Sequence, residues 1–328
     1  MSAHPNILRA RASLARNYRD FPFDLSDKPG LASACVTRTA WALALSGADS
    51  GFSLIRMSDI SDNRRRELVE NDAISEDMLR TWDTSAVLLN EDEALSIMLC
   101  DSDHLVIRAR ADDPVQAAER CLKMDDALSR HVTFAWDEQL GYLTSRPDRV
   151  GTGLKLSVLL FLPVLSMQPS PEDLLPPGFD DCTVSFLHDN LNLSIVELSL
   201  KATLGAAELG MAETLYRKAL ELSDVEDQLR SDPEVHSLSL VEDEAYKSFG
   251  TLKYGRLFNY RHFMGHWSSV RLGACMKLIP VPLDVLDAMP GEMGDAHLCA
   301  WAEKPLEGEE LLSTRARRIQ ELLSTVQL

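Results

Sequence analysis

The stretch from Phe134 to Leu162, FAWDEQLGYLTSRPDRVGTGLKLSVLLFL, limits what this chain can fold into more than any other. It closes in an unbroken apolar run, Val158 to Leu162, which Pro163 stops. A short apolar run bounded by turn residues predicts a strand buried on both faces. The small triplet Gly151-Thr152-Gly153 ahead of it implies a close backbone approach, to a ligand or to a neighbouring strand. Upstream, residues 85–111 alternate apolar runs with polar turns at Asn90–Glu93 and Asp101–Asp103, the pattern of an antiparallel meander. Asp113-Pro114 opens an amphipathic helix over 114–130, with Val115, Ala118, Leu122 and Leu128 on its apolar face. Residues 31–48 and 64–79 also read as helical. The proline-rich stretch 168–178 marks a boundary loop, and the chain is helical in character from about 206.

Charge and cysteine usage narrow the function classes. A formal net charge of −18 argues against nucleic acid or an anionic membrane as partner, since both reward a basic face. The six cysteines are scattered with no C-x-x-C pair, which suits reduced thiols in a cytoplasmic protein. No apolar run reaches membrane-spanning length. His262 and His266 have a spacing that can bind zinc on a helix, but no third ligand accompanies them, so no metal site is expected. Gly151–Lys155 lacks the outer glycine and the Ser/Thr of a phosphate-binding P-loop, and no nucleophile elbow is present.

The opening stretch resembles the signature of the ATP:guanidino phosphotransferases, most closely the bacterial protein-arginine kinases, which read LGYLTSCPTNxGTGLRASV. Eleven residues match: Leu140 to Ser145, Pro147, and Gly151 to Leu154. The departures are Arg146 for the cysteine, Asp148-Arg149 for Thr-Asn, and Lys155 for the arginine. Residues 8–17 resemble the family's SSRxRLARN: Leu14 to Asn17 match and Arg11 stands at the first phosphate arginine, but Ser13 replaces the second. RMSDI and ELVENDAIS are similar to the same kinases. The family's catalytic loop, Asn-Glu-Glu-Asp-His-x-Arg-Ile, aligns with Cys100 to Ile107. There Ser102 replaces the guanidinium-binding glutamate and Val106 the arginine. The alternative register on Asn90–Glu93 lacks the histidine and reads as a solvated hairpin tip. Counting back from Thr203-Leu204-Gly205 puts Cys182 where a further phosphate arginine belongs. Near the end, only Arg315 and Ala316 remain of the phosphoarginine-reading Arg-Asp-x-x-Arg-Ala; Arg315, Arg317 and Arg318 read as a solvated basic last turn.

The resemblance implies an α+β fold: a twisted antiparallel sheet flanked by helices, plus a C-terminal helical domain. The expected division is a kinase-like domain over 1–205, with a short N-terminal portion 1–80 and a sheet core 81–205, and the helical domain over 206–328. Catalysis is a different matter. Phosphoryl transfer rests on positioning and on cations about the transferring group. Of five arginine positions only Arg11 survives, Lys155 keeps charge without the fork, and Ser13, Val106 and Cys182 lose it. Losing a general base costs roughly 10²–10⁴ in rate, and each lost electrostatic stabiliser on the order of 10²–10³. Arg146 in the cysteine's place would repel a guanidinium. The expectation is therefore a catalytically inactive homologue with no cofactor, acting as a protein-binding or assembly module. The alternative is an active, Mg-ATP-dependent protein-arginine kinase with a rearranged site, using Asp101, Asp103 or the Asn90–Glu93 turn. The resemblance suggests a zinc-binding activator or a Clp-type chaperone subunit as partner. Phe258, Tyr260, Phe263 and Trp267, four aromatics in ten residues, suggest a homodimer through the C-terminal helices.

Overall fold

Alternation along Leu154–Phe161 (β8) organises the molecule. Leu154, Leu156, Val158 and Leu160 are buried on one side of the strand, while Lys155, Ser157, Leu159 and Phe161 face the other. In the computed structural model, which describes residues 4–25, 27–167, 175–186, 194–201, 207–232 and 237–326, this strand lies in an eight-stranded antiparallel sheet. Its other members are Ile7–Arg16 (β1), Phe52–Arg56 (β2), Ala86–Asn90 (β3), Leu95–Leu99 (β4), Leu105–Ala111 (β5), Cys182–Phe186 (β9) and Ile195–Leu200 (β10). The order is β2-β3-β4-β5-β1-β8-β10-β9. Trp136–Asp137 (β6) and Gly141–Tyr142 (β7) form a separate small ribbon. The meander expected over 85–111 is β3, β4 and β5.

Three helices cover the sheet's apolar face: Pro29–Ser46 (α1), Pro114–Ser129 (α3) and Glu208–Ser231 (α4). Asp113 caps α3 by accepting from the Gln116 amide at 2.9 Å, and Pro114 fills the first turn. The buried stripe of α3 runs through Ala117, Ala118, Cys121, Met124 and Leu128, so the apolar face is turned from the expected one; Val115 and Leu122 sit at its margin. The helix read over 64–79 is two elements, Asp62–Glu70 (α2) and a 3₁₀ turn over Glu76–Leu79. Asp72 separates them in the left-handed region, at φ 57°.

The opposite face is divided into three zones. At one end Ala15, Val87, Met98 and Val106 pack under Leu68, Ile74 and Met78 of the α2 region. The middle carries charge. At the other end Phe161 and Ile195 enter the core of a helical domain made of Leu238–Tyr254 (α5), Tyr260–Cys275 (α6), Leu283–Glu292 (α7), Asp295–Trp301 (α8) and Gly308–Leu322 (α9). The strand is thus buried on both faces only in its second half, which is where its sequence is unbroken and apolar. Packing also moves the domain boundary. Met211, Ala212, Leu215, Ala219 and Leu222 tie α4 to the sheet, so the second core begins at α5 and not at 206. Thr203-Leu204-Gly205 and most of the 168–178 loop lie outside the described residues.

The C-terminal aromatics fill their own domain. Phe258, Phe263 and Trp267 are buried, so they give no exposed surface for self-association. The basic residues of α9 are not a solvated last turn either: they lie mid-helix, and Arg318 pairs with Glu292 and Glu321. Among the described residues no helix is long and apolar enough to cross a membrane.

Phe161 joins the sheet to the helical domain. Its ring meets Trp267 edge-on at 5.7 Å, and the Arg271 guanidinium lies 4.5 Å from its centroid. Phe161→Ala should therefore destabilise the protein by about 3–5 kcal/mol, the usual cost of emptying a buried aromatic site. Urea unfolding followed by Trp fluorescence measures it, and a loss below about 1 kcal/mol would contradict a shared core.

Candidate functional site

The matched motif residues converge and bind one another. Asp103 Oδ1 accepts from the Asn17 side-chain amide at 2.7 Å and from the Ser145 backbone amide at 2.7 Å. Asn17 Oδ1 in turn accepts from the His104 backbone amide at 2.8 Å. The Tyr18 amide donates to His104 Nδ1 at 2.8 Å, which leaves the imidazole proton on Nε2, bonded to Pro22 O at 2.7 Å. Burial pushes the His104 imidazole below its ordinary value, in keeping with a neutral ring. Three chain segments distant in sequence are fastened here by side-chain hydrogen bonds.

Arg16 makes a second knot. Its guanidinium grips Asp125 of α3 in a two-point pair, at 2.9 and 2.7 Å. It also donates to the carbonyls of Ala15 and Thr152, and stacks 3.4 Å over the centre of the Tyr142 ring. The glycine triplet is shaped by this contact. Gly153 adopts φ 73°, and a Cβ there would lie 2.5 Å from both Ala15 O and Arg16 Nη1. Gly141, at φ 74°, is pressed against Gly151 O in the same way. The close approach inferred from the triplet is therefore to the neighbouring strand β1.

The charged middle zone is where the family's phosphate arginines would act. Register places Ser13 between Arg108 on β5 and Lys155 on β8, with Arg9 and Arg11 further along β1 on the same face. These cations are held by the protein's own acids. Arg11 Nη1 donates to Asp72 Oδ1 at 2.8 Å and its Nη2 to Glu197 Oε1 at 2.5 Å. Asp72 also receives Arg108 at 3.1 Å, and Arg9 lies 3.7 Å away. Burial alone would raise the Asp72 carboxyl, but Arg11, Arg108 and Arg9 outweigh it and hold the group below its ordinary value. Nothing in the sequence spacing marks Asp72 or Glu197; their roles arise from the turn after α2 and from the register of β10.

The other expected positions are arranged as follows. Ser102 is exposed at the rim of a 690 Å³ cavity lined by Phe23, Cys100, Asp101, Asp103 and Thr144. Arg146 is also exposed and pairs with Asp148 at 3.2 Å. Val106 is buried in the small apolar cluster beneath α2, with no room for a charge. Burial pushes the Lys155 ammonium down, Glu197 opposing and Arg149 adding to the effect. Cys182 needs correction. Strand β10 pairs Leu200 with Cys182 and Ser199 with Thr183, and Ser199 lies opposite Ser157 on the cationic face. Cys182 thus points into the main core, and Thr183 occupies the face where an arginine would act. Arg315 is buried too. It donates to Met293 O at 2.9 Å and Phe258 O at 2.8 Å and pairs with Asp295, a bracing role inside the helical domain. Glu93, expected at a solvated tip, binds Arg64 and Asn71 at 2.8 Å each. His266 bonds Ser248 at 3.1 Å, and no group of three or more metal-ligating side chains occurs among the described residues.

The profile of the ATP:guanido phosphotransferase C-terminal catalytic domain matches residues 36–229, more than half of the chain. The chain belongs to the ATP:guanido phosphotransferase family. A second profile, the protein-arginine kinase McsB C-terminal domain, matches residues 239–327, so the two meet near the division between the sheet core and the α5–α9 core. A protein-arginine kinase of Symbiobacterium thermophilum is 31% identical over 328 residues, 97% of this chain and 93% of that one. Another, from Halalkalibacterium halodurans, is 32% identical over 281 residues, 83% and 79% of the two chains. Among solved structures, the duplicated taurocyamine kinase of Schistosoma mansoni, with bound transition state analog components, superposes with a TM-score of 0.62. It is 17% identical over 74% of this chain and 37% of that one. Lombricine kinase gives 0.58 at 19% identity, over 69% and 67%. These structural likenesses establish the fold of this family member.

Asp72 is the charge on which the middle zone depends. Because its folded-state pKa lies below the unfolded one, its contribution is complete above about pH 4 and is lost as pH falls through the depressed value. Asp72→Asn should cost about 3–5 kcal/mol at neutral pH, the penalty for stranding buried charge. The wild-type advantage should shrink below about pH 4. Urea unfolding of both forms across pH tests this; equal stability at pH 7 would rule the clamp out.

Proposed function

We propose that this chain is a catalytically inactive homologue of the protein-arginine kinases, acting as a protein-binding or assembly module in the cytoplasm. The observation that carries the reading is the double engagement of Arg11 by Asp72 and Glu197. Arg11 is the one phosphate arginine that survives by sequence, and its donors already serve two carboxylates. Ser13, Val106 and Thr183 add no charge, and Lys155 offers a single ammonium instead of a bidentate fork. This residue set does not suit the triphosphate of Mg-ATP. At the transfer site, Ser102 has no charge with which to orient or deprotonate a guanidinium, and Arg146 would repel one.

Protein binding fits the surface that remains. Leu238, Leu240, Tyr246 and Tyr254 of α5 are exposed, and such large apolar groups favour a protein partner over solvent. A homodimer, a zinc-binding activator and a Clp-type chaperone subunit all belong to this reading, while nucleic acid and membrane do not. One observation favours the second reading, an active kinase with a rearranged site. Burial pushes the Asp101 carboxyl up beside Ser102 in the 690 Å³ cavity, as a general base at that loop would require.

The two readings part in one assay. Radiolabel transfer from ATP to an arginine-rich protein should be absent for the wild type and also for Ser102→Glu, because catalytic groups acting as a unit are not rescued singly. Acid-labile label in the wild type, altered in rate by Ser102→Glu and lost in Lys155→Ala, would overturn the inactive reading.

A further inference from the structure

Two cysteines meet where α1 crosses the loop that carries Asp101, Ser102 and Asp103. Cys35 is fully buried on α1, and its thiol donates to His104 O at 3.4 Å. Cys100 directly follows β4, and its thiol donates to Ala32 O, one turn back on the same helix, at 3.6 Å. The Cys100 amide shares the His104 carbonyl with Cys35, at 3.0 Å. Each thiol thus reaches across to the other's segment. Cys100 is held at φ 58°, a left-handed conformation that few residues other than glycine adopt. It is also the member that lines the 690 Å³ cavity, so a small oxidant has a route to one sulfur while the second waits behind it.

We propose that Cys35 and Cys100 form an oxidisable dithiol, a reversible modification site whose disulfide fastens α1 to the loop bearing Asp101, Ser102 and Asp103. The oxidant is of the peroxide class. Cys100 Sγ attacks one peroxide oxygen and the other leaves as water, giving a sulfenic acid. Cys35 Sγ then displaces the hydroxyl from Cys100 Sγ, and its own proton departs with that hydroxyl as a second water. Two thiols lose two electrons, one peroxide gains them, and a thiol reductant reverses the change. Among the described residues the other four cysteines have other partners. Cys121 is buried against carbonyls of β1 and β5, Cys182 faces Asp181, Cys275 meets Arg271, and Cys299 meets Leu306. The neighbouring Cys100 thiol together with burial pushes the Cys35 thiol far up, which keeps the pair quiet until Cys100 is oxidised. The site concerns the loop whatever its catalytic standing.

The test is stoichiometric hydrogen peroxide on the full chain, followed by alkylation under denaturing conditions and peptide mass mapping. Two of the six thiols should become unreactive, a peptide joining Cys35 to Cys100 should appear lighter by two hydrogens, and dithiothreitol should restore both. Cys100→Gly, which suits the left-handed backbone, and Cys35→Ala should each abolish the linked peptide, while Cys121→Ala should retain it. The proposal is overturned if Cys35 and Cys100 both stay alkylatable while other cysteines oxidise, or if Cys100 proceeds to sulfinic acid without cross-linking.

Discussion

The guanidinium of Arg16 is the interaction on which this architecture rests. It is buried, and burying a charge is tolerable only when donors and countercharge are matched. Asp125, two backbone carbonyls and the Tyr142 ring supply the match from α3, the glycine triplet and the β7 turn at once. Because Gly153 must pass within van der Waals reach of β1 for this to work, the triplet and the arginine constrain each other. The Asn17–Asp103–Ser145 bonds repeat the device a few residues away. A family signature can therefore persist for packing alone: its residues are one another's hydrogen-bond partners, and removing any one strands the rest.

Chemistry has different requirements, and the middle zone follows them. A site that binds phosphates needs cations whose donors are free, and buried cations are otherwise neutralised from within. Asp72 and Glu197 do so here, the first from a left-handed turn, the second from β10. Val106 belongs to the same economy, since the apolar cluster under α2 closes over the position of a charge. The scaffold and the internal ion pairs are thus two separable layers of one structure.

Much of the scaffold was legible in the sequence because local pattern and tertiary role coincide there. The β8 run, the meander and the Asp113-Pro114 cap are read from period and cap chemistry, and each forms the element expected. Failures occurred where long-range register decides. Counting from Thr203-Leu204-Gly205 points to Cys182, yet side chains alternate along a strand, so a shift of one residue turns the position to the other face. The α4 helix looks like its C-terminal neighbours in composition, and only packing ties it to the sheet. Arg315 and Arg318 looked solvated because charge in sequence does not reveal whether a carbonyl or carboxylate waits opposite. Asp72 sits in a stretch that reads as one helix, and only the left-handed turn that breaks the helix there turns its carboxylate to the cations.

Arg11, which stands at a phosphate-arginine position of the family motif, is satisfied by the protein itself. Calorimetric titration of Mg-ATP into the wild-type protein at neutral pH tests it most directly. The internal clamp predicts no saturable heat up to millimolar nucleotide; saturable binding in the micromolar range would contradict it.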